Sequence, residues 1–196
     1  MVLPEWKINL IKNLSIQIKN GKKLVFIHIP KCAGTYASQY LKDLKITNRG
    51  HSKNINKDEI TFAIIRHPIN RFESLLNYRL DEKIPRSDWP QSLYHVYENK
   101  SINLDEIINK MTDKDIISFS PYRTLEYWIE GIYLLLTIEE FIPALKLFGY
   151  KITKIYDKIN VSKKERGTIS SENKQRLSII FKRDIEIYNN WTKLFF

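Results

Sequence analysis

The chain has 196 residues, enough for one domain with a substantial core and too few for two comfortable ones. Apolar residues make up 43% and charged residues 28%, a globular balance that argues against disorder. Thirty-two Lys and Arg against 22 Asp and Glu leave a net charge of +10, which suits a multiply anionic ligand, a polyanionic acceptor or nucleic acid.

The lysines are scattered along the chain, for example at Lys42, Lys53, Lys100 and Lys114, which is also how solvated faces look. No apolar run approaches the ~20 residues of a spanning helix. Lys7, Lys12 and Lys19 interrupt the N-terminal stretch too often for a signal peptide. One cysteine excludes an intrachain disulfide. The expectation is a cytoplasmic protein, with the sequons at Asn13, Asn99, Asn160 and Asn190 unused.

Residues 4–19 read as a helix with Trp6, Leu10, Ile11, Leu14 and Ile18 on one face, although the alternation Leu14, Ile16, Ile18 also fits a strand. Leu24 to Ile29 is a near-continuous apolar run, as in a strand buried on both faces. Pro30 ends it, Gly34 allows a close approach without a Cβ, and from Thr35 the spacing becomes helical through Tyr36, Tyr40, Leu41 and Leu44. Strand, loop with Lys31, then helix N-terminus is a recipe for holding an anion. It is not a Walker A motif, because the lysine precedes the only glycine. A solvated loop lysine is the competing reading.

Ile46 to Ser52 reads as a polar connector carrying His51. Thr61 to Ile65 is a second buried strand, running into Arg66-His67-Pro68, after which Phe72, Leu75, Leu76 and Leu80 mark a helix. An arginine at a strand's carboxyl end and Ser74 on the next helix can converge on one phosphate. In open α/β sheets ligands sit at the carboxyl ends of strands, so Lys31 and Arg66 should share a crevice.

Asp81 to Thr124 is broken by Pro85, Pro90 and Pro121, with a helix expected over Leu104 to Met111. Trp89, Tyr94, Tyr97 and Tyr122 fit an acceptor cleft or a core equally. Ile132 to Ile138 reads as a third strand, followed by a helix from Glu139. A final helix starts near Ser170 or Ser171 and buries Leu177, Ile180, Phe181, Ile185, Tyr188 and Trp191. Alternating strands and helices argue for a parallel sheet. His28 reads as a core or pocket-edge residue, and His95 has no evident partner. No His, Cys and carboxylate cluster has metal-ligand spacing, so no metal is expected.

Pro30-Lys31-Cys32-Ala33-Gly34-Thr35, followed by Arg66-His67-Pro68-x-x-Arg71-Phe72-x-Ser74, resembles the paired signature of sulfotransferases that use 3′-phosphoadenosine 5′-phosphosulfate (PAPS). The carbohydrate (Golgi-type) branch is the nearer one, and it includes the hexuronic 2-O-sulfotransferases. The resemblance implies a single sulfotransferase-like domain over 1–196, with a P-loop nucleotide-kinase-like three-layer fold and a short central parallel sheet flanked by helices. It implies transfer of a sulfuryl group from PAPS to an acceptor hydroxyl, on a sugar or glycan, leaving PAP.

On the matching positions Lys31, Cys32, Ala33, Gly34, Thr35 and Tyr36 would grip the 5′-phosphosulfate, while Arg66 and Ser74 would grip the 3′-phosphate. Gly50-His51 falls where those 2-O-sulfotransferases carry a Gly-His pair, which makes His51 the candidate base; a surface loop histidine is the alternative. Asn160 to Gly167 resembles the family's late basic loop, in which Arg166 would close over the 3′-phosphate, although a solvated loop explains it equally. Ser118-Phe-Ser-Pro-Tyr122 departs at both ends from the family's His-Phe-x-Pro-Gln pattern, so the acceptor is expected to differ. A nucleotide or polynucleotide kinase and a non-catalytic basic nucleic-acid binder remain as rival readings.

Overall fold

The computed structural model describes residues 3–81, 103–118, 124–157 and 169–195. In chain order the elements are α1 (Glu5–Lys19), β1 (Lys23–Phe26), α2 (Gly34–Asp43), β2 (Thr47–Asn48), β3 (Glu59–Ile64) and α3 (Pro68–Asp81). They continue with α4 (Leu104–Lys110), α5 (Asp113–Ser118), α6 (Leu125–Ile129), β4 (Leu134–Leu136), α7 (Ile138–Leu147), α8 (Ser171–Ile180) and α9 (Lys182–Phe195). The fold is α/β, with a four-stranded parallel sheet in the order β2-β1-β3-β4, flanked by helices. No described helix is long and apolar enough to cross a membrane.

The described residues form two compact units. One comprises 3–66 and 127–157, and the other the described residues of 67–126 and 169–195.

The first unit holds the whole sheet. All six residues of β3 and the three of β4 are buried, which suits their mostly apolar character; the polar exceptions in β3 are Glu59, bonded to Arg49, and Thr61, whose hydroxyl donates to Gly131 O at 2.6 Å. Phe26 and Phe62 pack with ring centroids 5.3 Å apart, and Phe62 stacks on Phe141 of α7 at 6.5 Å. Of the face expected on α1, Ile11 and Leu14 are buried, Leu10 and Ile18 half-buried and Trp6 exposed. Lys7 on the same helix is buried too, where it is ion-paired with Glu140 of α7. Glu140 also accepts the Thr137 amide hydrogen at 2.8 Å, so one buried carboxylate serves a cation and a helix start.

Several expected boundaries move. The 46–52 connector contains an edge strand: Thr47 and Asn48 of β2 are exposed and polar, so nothing apolar marks it. Regular β1 ends at Phe26, yet pairing continues through Ile27 N–H to Phe62 O and His28 N–H to Gly50 O, both 2.9 Å. The third expected strand shrinks to Leu134–Leu136, because Thr137 is already the cap of α7.

The second unit packs Phe72, Leu75 and Leu76 of α3 against Leu104, Ile107 and Ile108 of α4 and Leu177 of α8. The single final helix expected from 170 is two helices that meet at Phe181. Phe181 N–H bonds to Leu177 O at 2.8 Å and Ile185 N–H to Phe181 O at 2.9 Å. The i to i+4 rhythm therefore survives the break, and the sequence pattern runs through it unchanged. Ser170 caps α8 by accepting the Asn173 amide hydrogen at 3.2 Å.

Candidate functional site

Because the four strands are parallel, the segments after each one leave the sheet at the same edge. Lys31 follows β1, Arg49 to His51 follow β2, Arg66 follows β3 and Thr137 follows β4. β1 and β3 are hydrogen-bonded neighbours, in register at Phe26 and Phe62. Lys31 and Arg66 thus rise from adjacent strands at the carboxyl edge, the place where α/β sheets hold their ligands.

The loop from Pro30 to Ala33 has unusual backbone. Lys31 has φ 62° and Ala33 φ 60°, both in the left-handed region that residues with a Cβ enter at a cost of about 1–2 kcal/mol. These left-handed residues flank Cys32, whose amide hydrogen bonds back to Ile29 O at 3.3 Å and closes the loop on the end of the strand. Ala33 is also the residue capping α2, and its methyl offers no acceptor to the first-turn amides. Cys32 is buried, Lys31 half-buried and Thr35 exposed. The Tyr36 hydroxyl donates to that of Tyr40 at 3.3 Å, holding the ring on the aromatic cluster with Phe141.

Gly34 has a different use from the one its sequence position suggests. Its φ is not positive, and the space a Cβ would take is filled by the His28 ring. An added Cβ would lie 1.8 Å from Nε2, 1.9 Å from Cδ2 and 2.3 Å from Cε1. The close approach made possible by glycine is therefore helix against histidine.

His28 touches the next predicted residue as well. Its ring centroid lies 4.4 Å from that of His51, and its carbonyl oxygen is 2.7 Å from His51 Nδ1. A carbonyl can only accept, so Nδ1 carries the hydrogen and the neutral His51 ring keeps its lone pair on Nε2. Burial pushes His28 down to about 4, reinforced by nearby His51 and Lys31, so it is uncharged at neutral pH.

The His51 segment is well fastened. Gly50, at φ 61°, donates its amide hydrogen to Asn48 Oδ1 at 3.0 Å. Arg49 bonds to the Asn54 carbonyl and the Glu59 carboxylate. Beyond it, Lys53 Nζ lies 2.9 Å from Glu130, donates to the Tyr127 carbonyl and sits 4.3 Å from the Tyr127 ring centroid. Buried Trp128 stands edge-on to His51 at 6.2 Å.

In the first unit the structure thus brings together the Lys31 loop, His28 and His51, and sets Arg66, exposed, at the same edge of the sheet. Ser74 lies on α3 in the second unit and is half-buried. Arg166 lies outside the described residues, as do His95, Trp89, Tyr94, Tyr97 and Tyr122. Among the described residues no three His, Cys, Asp or Glu side chains are grouped to hold a metal.

Two residues carry more of the arrangement than the sequence reading assigned them. His28 is one, and its signal was its strand position two residues after Phe26, on whose face it lies with ring centroids 6.3 Å apart. Arg71, the second arginine of the Arg66 motif, is the other: it is buried in the second unit, where its charge favours the ionised form of Asp184 against the opposing effect of burial. Both Asp184 carboxylate oxygens accept the Leu125 amide hydrogen at 3.0 Å, at the start of α6.

Compared with known proteins, the chain matches no family model, no curated protein and no solved structure.

Proposed function

We propose that this chain is a PAPS-dependent sulfotransferase acting on a hydroxyl acceptor, a sugar or glycan, and that its sheet unit is the core of a P-loop nucleotide-kinase-like fold. The observation that carries this reading is the shared edge: a strained lysine loop at a helix N-terminus and an arginine leave neighbouring parallel strands, with a tautomer-fixed histidine beside the loop. In this reading Lys31 and the amides from Ala33 to Tyr36 hold the phosphosulfate and stabilise charge on the departing phosphate oxygen. Arg66 takes the 3′-phosphate as a planar fork of donors. His51 Nε2 accepts the acceptor's proton as the acceptor oxygen bonds to sulfur and the bond between sulfur and the phosphate oxygen breaks. A helix N-terminus and two cations on the same edge suit a donor carrying separated anionic groups.

The test begins with binding. PAP should stabilise the chain against heat in a dose-dependent way, and ATP with Mg²⁺ should do so far less. Labelled PAPS should then pass its sulfate to a member of a sugar and glycan panel. His51→Ala should lower kcat about 100-fold or more while leaving PAP affinity close to wild type. Preference for ATP with Mg²⁺, or salt-sensitive RNA or DNA binding without PAP binding, would refute the proposal.

A further inference from the structure

His28 joins the anion-binding loop to the candidate base. On one side its ring occupies the missing side chain of Gly34, the first residue of α2. On the other it lies against the His51 ring, and its own carbonyl orients His51 Nδ1. A single half-buried side chain therefore spans from the helix start that would hold the donor to the group that would take the proton. We propose that His28 is a positioning residue, a spacer whose ring sets the separation between the loop at Gly34 and the imidazole of His51.

The charged and titratable groups facing it are His51 and Lys31, and the ring stays neutral across the working range, so it acts through its shape. A residue of this kind should affect the chemical step more than donor binding, since an ångström of misplacement in a reacting group is enough to cost about 100-fold. The catalytic part of this inference rests on the sulfotransferase reading; the spacer itself does not.

The experiment uses the full chain with His28→Ala, His28→Gln and Gly34→Ala. Glutamine reaches about as far as the imidazole and stays uncharged, whereas Gly34→Ala pushes the ring away from the other side. In His28→Ala the NMR signals of the His51 ring should move, and kcat should fall about tenfold to a hundredfold with PAP affinity held within about threefold. His28→Gln should return kcat most of the way. Gly34→Ala should move the same His51 signals. Unmoved His51 signals in a folded His28→Ala or Gly34→Ala protein would overturn the spacer. A parallel loss of PAP affinity and kcat, unrelieved by glutamine, would overturn it as well. Should the wild-type chain transfer no sulfate, the functional reading fails alone, and the His51 signals still decide the role of His28.

Discussion

The contact between Gly34 and His28 allows a quantitative prediction that does not depend on any assigned function. Gly34→Ala would place a methyl carbon 1.8–2.3 Å from three ring atoms of His28, where ordinary contacts between such atoms are about 3.5–4.0 Å. The ring or the helix start must shift by more than an ångström. Overpacking of this kind costs about 1–3 kcal/mol. Against it stands the gain from replacing glycine in a helix, up to about 1 kcal/mol. The net expectation is a loss of about 1–2 kcal/mol, a fall in Tm of roughly 3–6 °C for a chain of this size. In a His28→Ala background the obstruction is gone, so the same substitution should become neutral or stabilising by up to about 1 kcal/mol. The four proteins of the cycle, unfolded in urea and by heat, should therefore show a coupling of about 1–3 kcal/mol. If Gly34→Ala changes stability equally with and without His28, the ring does not occupy that space and the geometry is wrong.

Three more expectations follow from the same geometry. Lys31→Ala should abolish sulfate transfer, whereas Arg66→Ala should mainly weaken PAP binding, read by calorimetry; equal and small effects would undo the assigned roles. Asp184→Ala should destabilise the chain by roughly 1–3 kcal/mol in urea titration, since it leaves the buried Leu125 amide without its acceptor. Stability should also fall as pH is lowered from about 6.5 to about 4: folded His28 titrates near 4 against an ordinary 6.5, so the unfolded chain takes up the proton first. His28→Gln should flatten that part of the profile, while losses at lower pH from Asp43, Glu59 and Asp105, whose carboxyls are held low by hydrogen bonds and neighbouring cations, should persist. An unchanged slope between those two values would refute the assignment.

Local chain chemistry announced the parts of this protein that depend on near neighbours. The mostly apolar run at 61–65, the 3.6-residue spacing of α1 and α3 and the cap at Ser170 are all dictated within a few residues, and all are in place, whereas β1 stops short of Pro30. The parallel sheet was legible for the same reason, since strands alternating with helices leave few other ways to bury both sheet faces. β2 was invisible because an exposed two-residue edge strand owes its existence to the β1 backbone beside it. The break at Phe181 was hidden by a hydrogen-bond rhythm that crosses it.

At the candidate site the residue types could be read from the motifs, but their partners could not. That Gly34 yields its space to His28, that a strand carbonyl fixes the tautomer of His51, and that Asp184 accepts the Leu125 amide hydrogen are contacts across 6, 23 and 59 positions of chain. Spacing along the chain carries no information about such pairs. They exist only once the sheet has set the ends of its strands side by side and packing has brought the distant segments into contact.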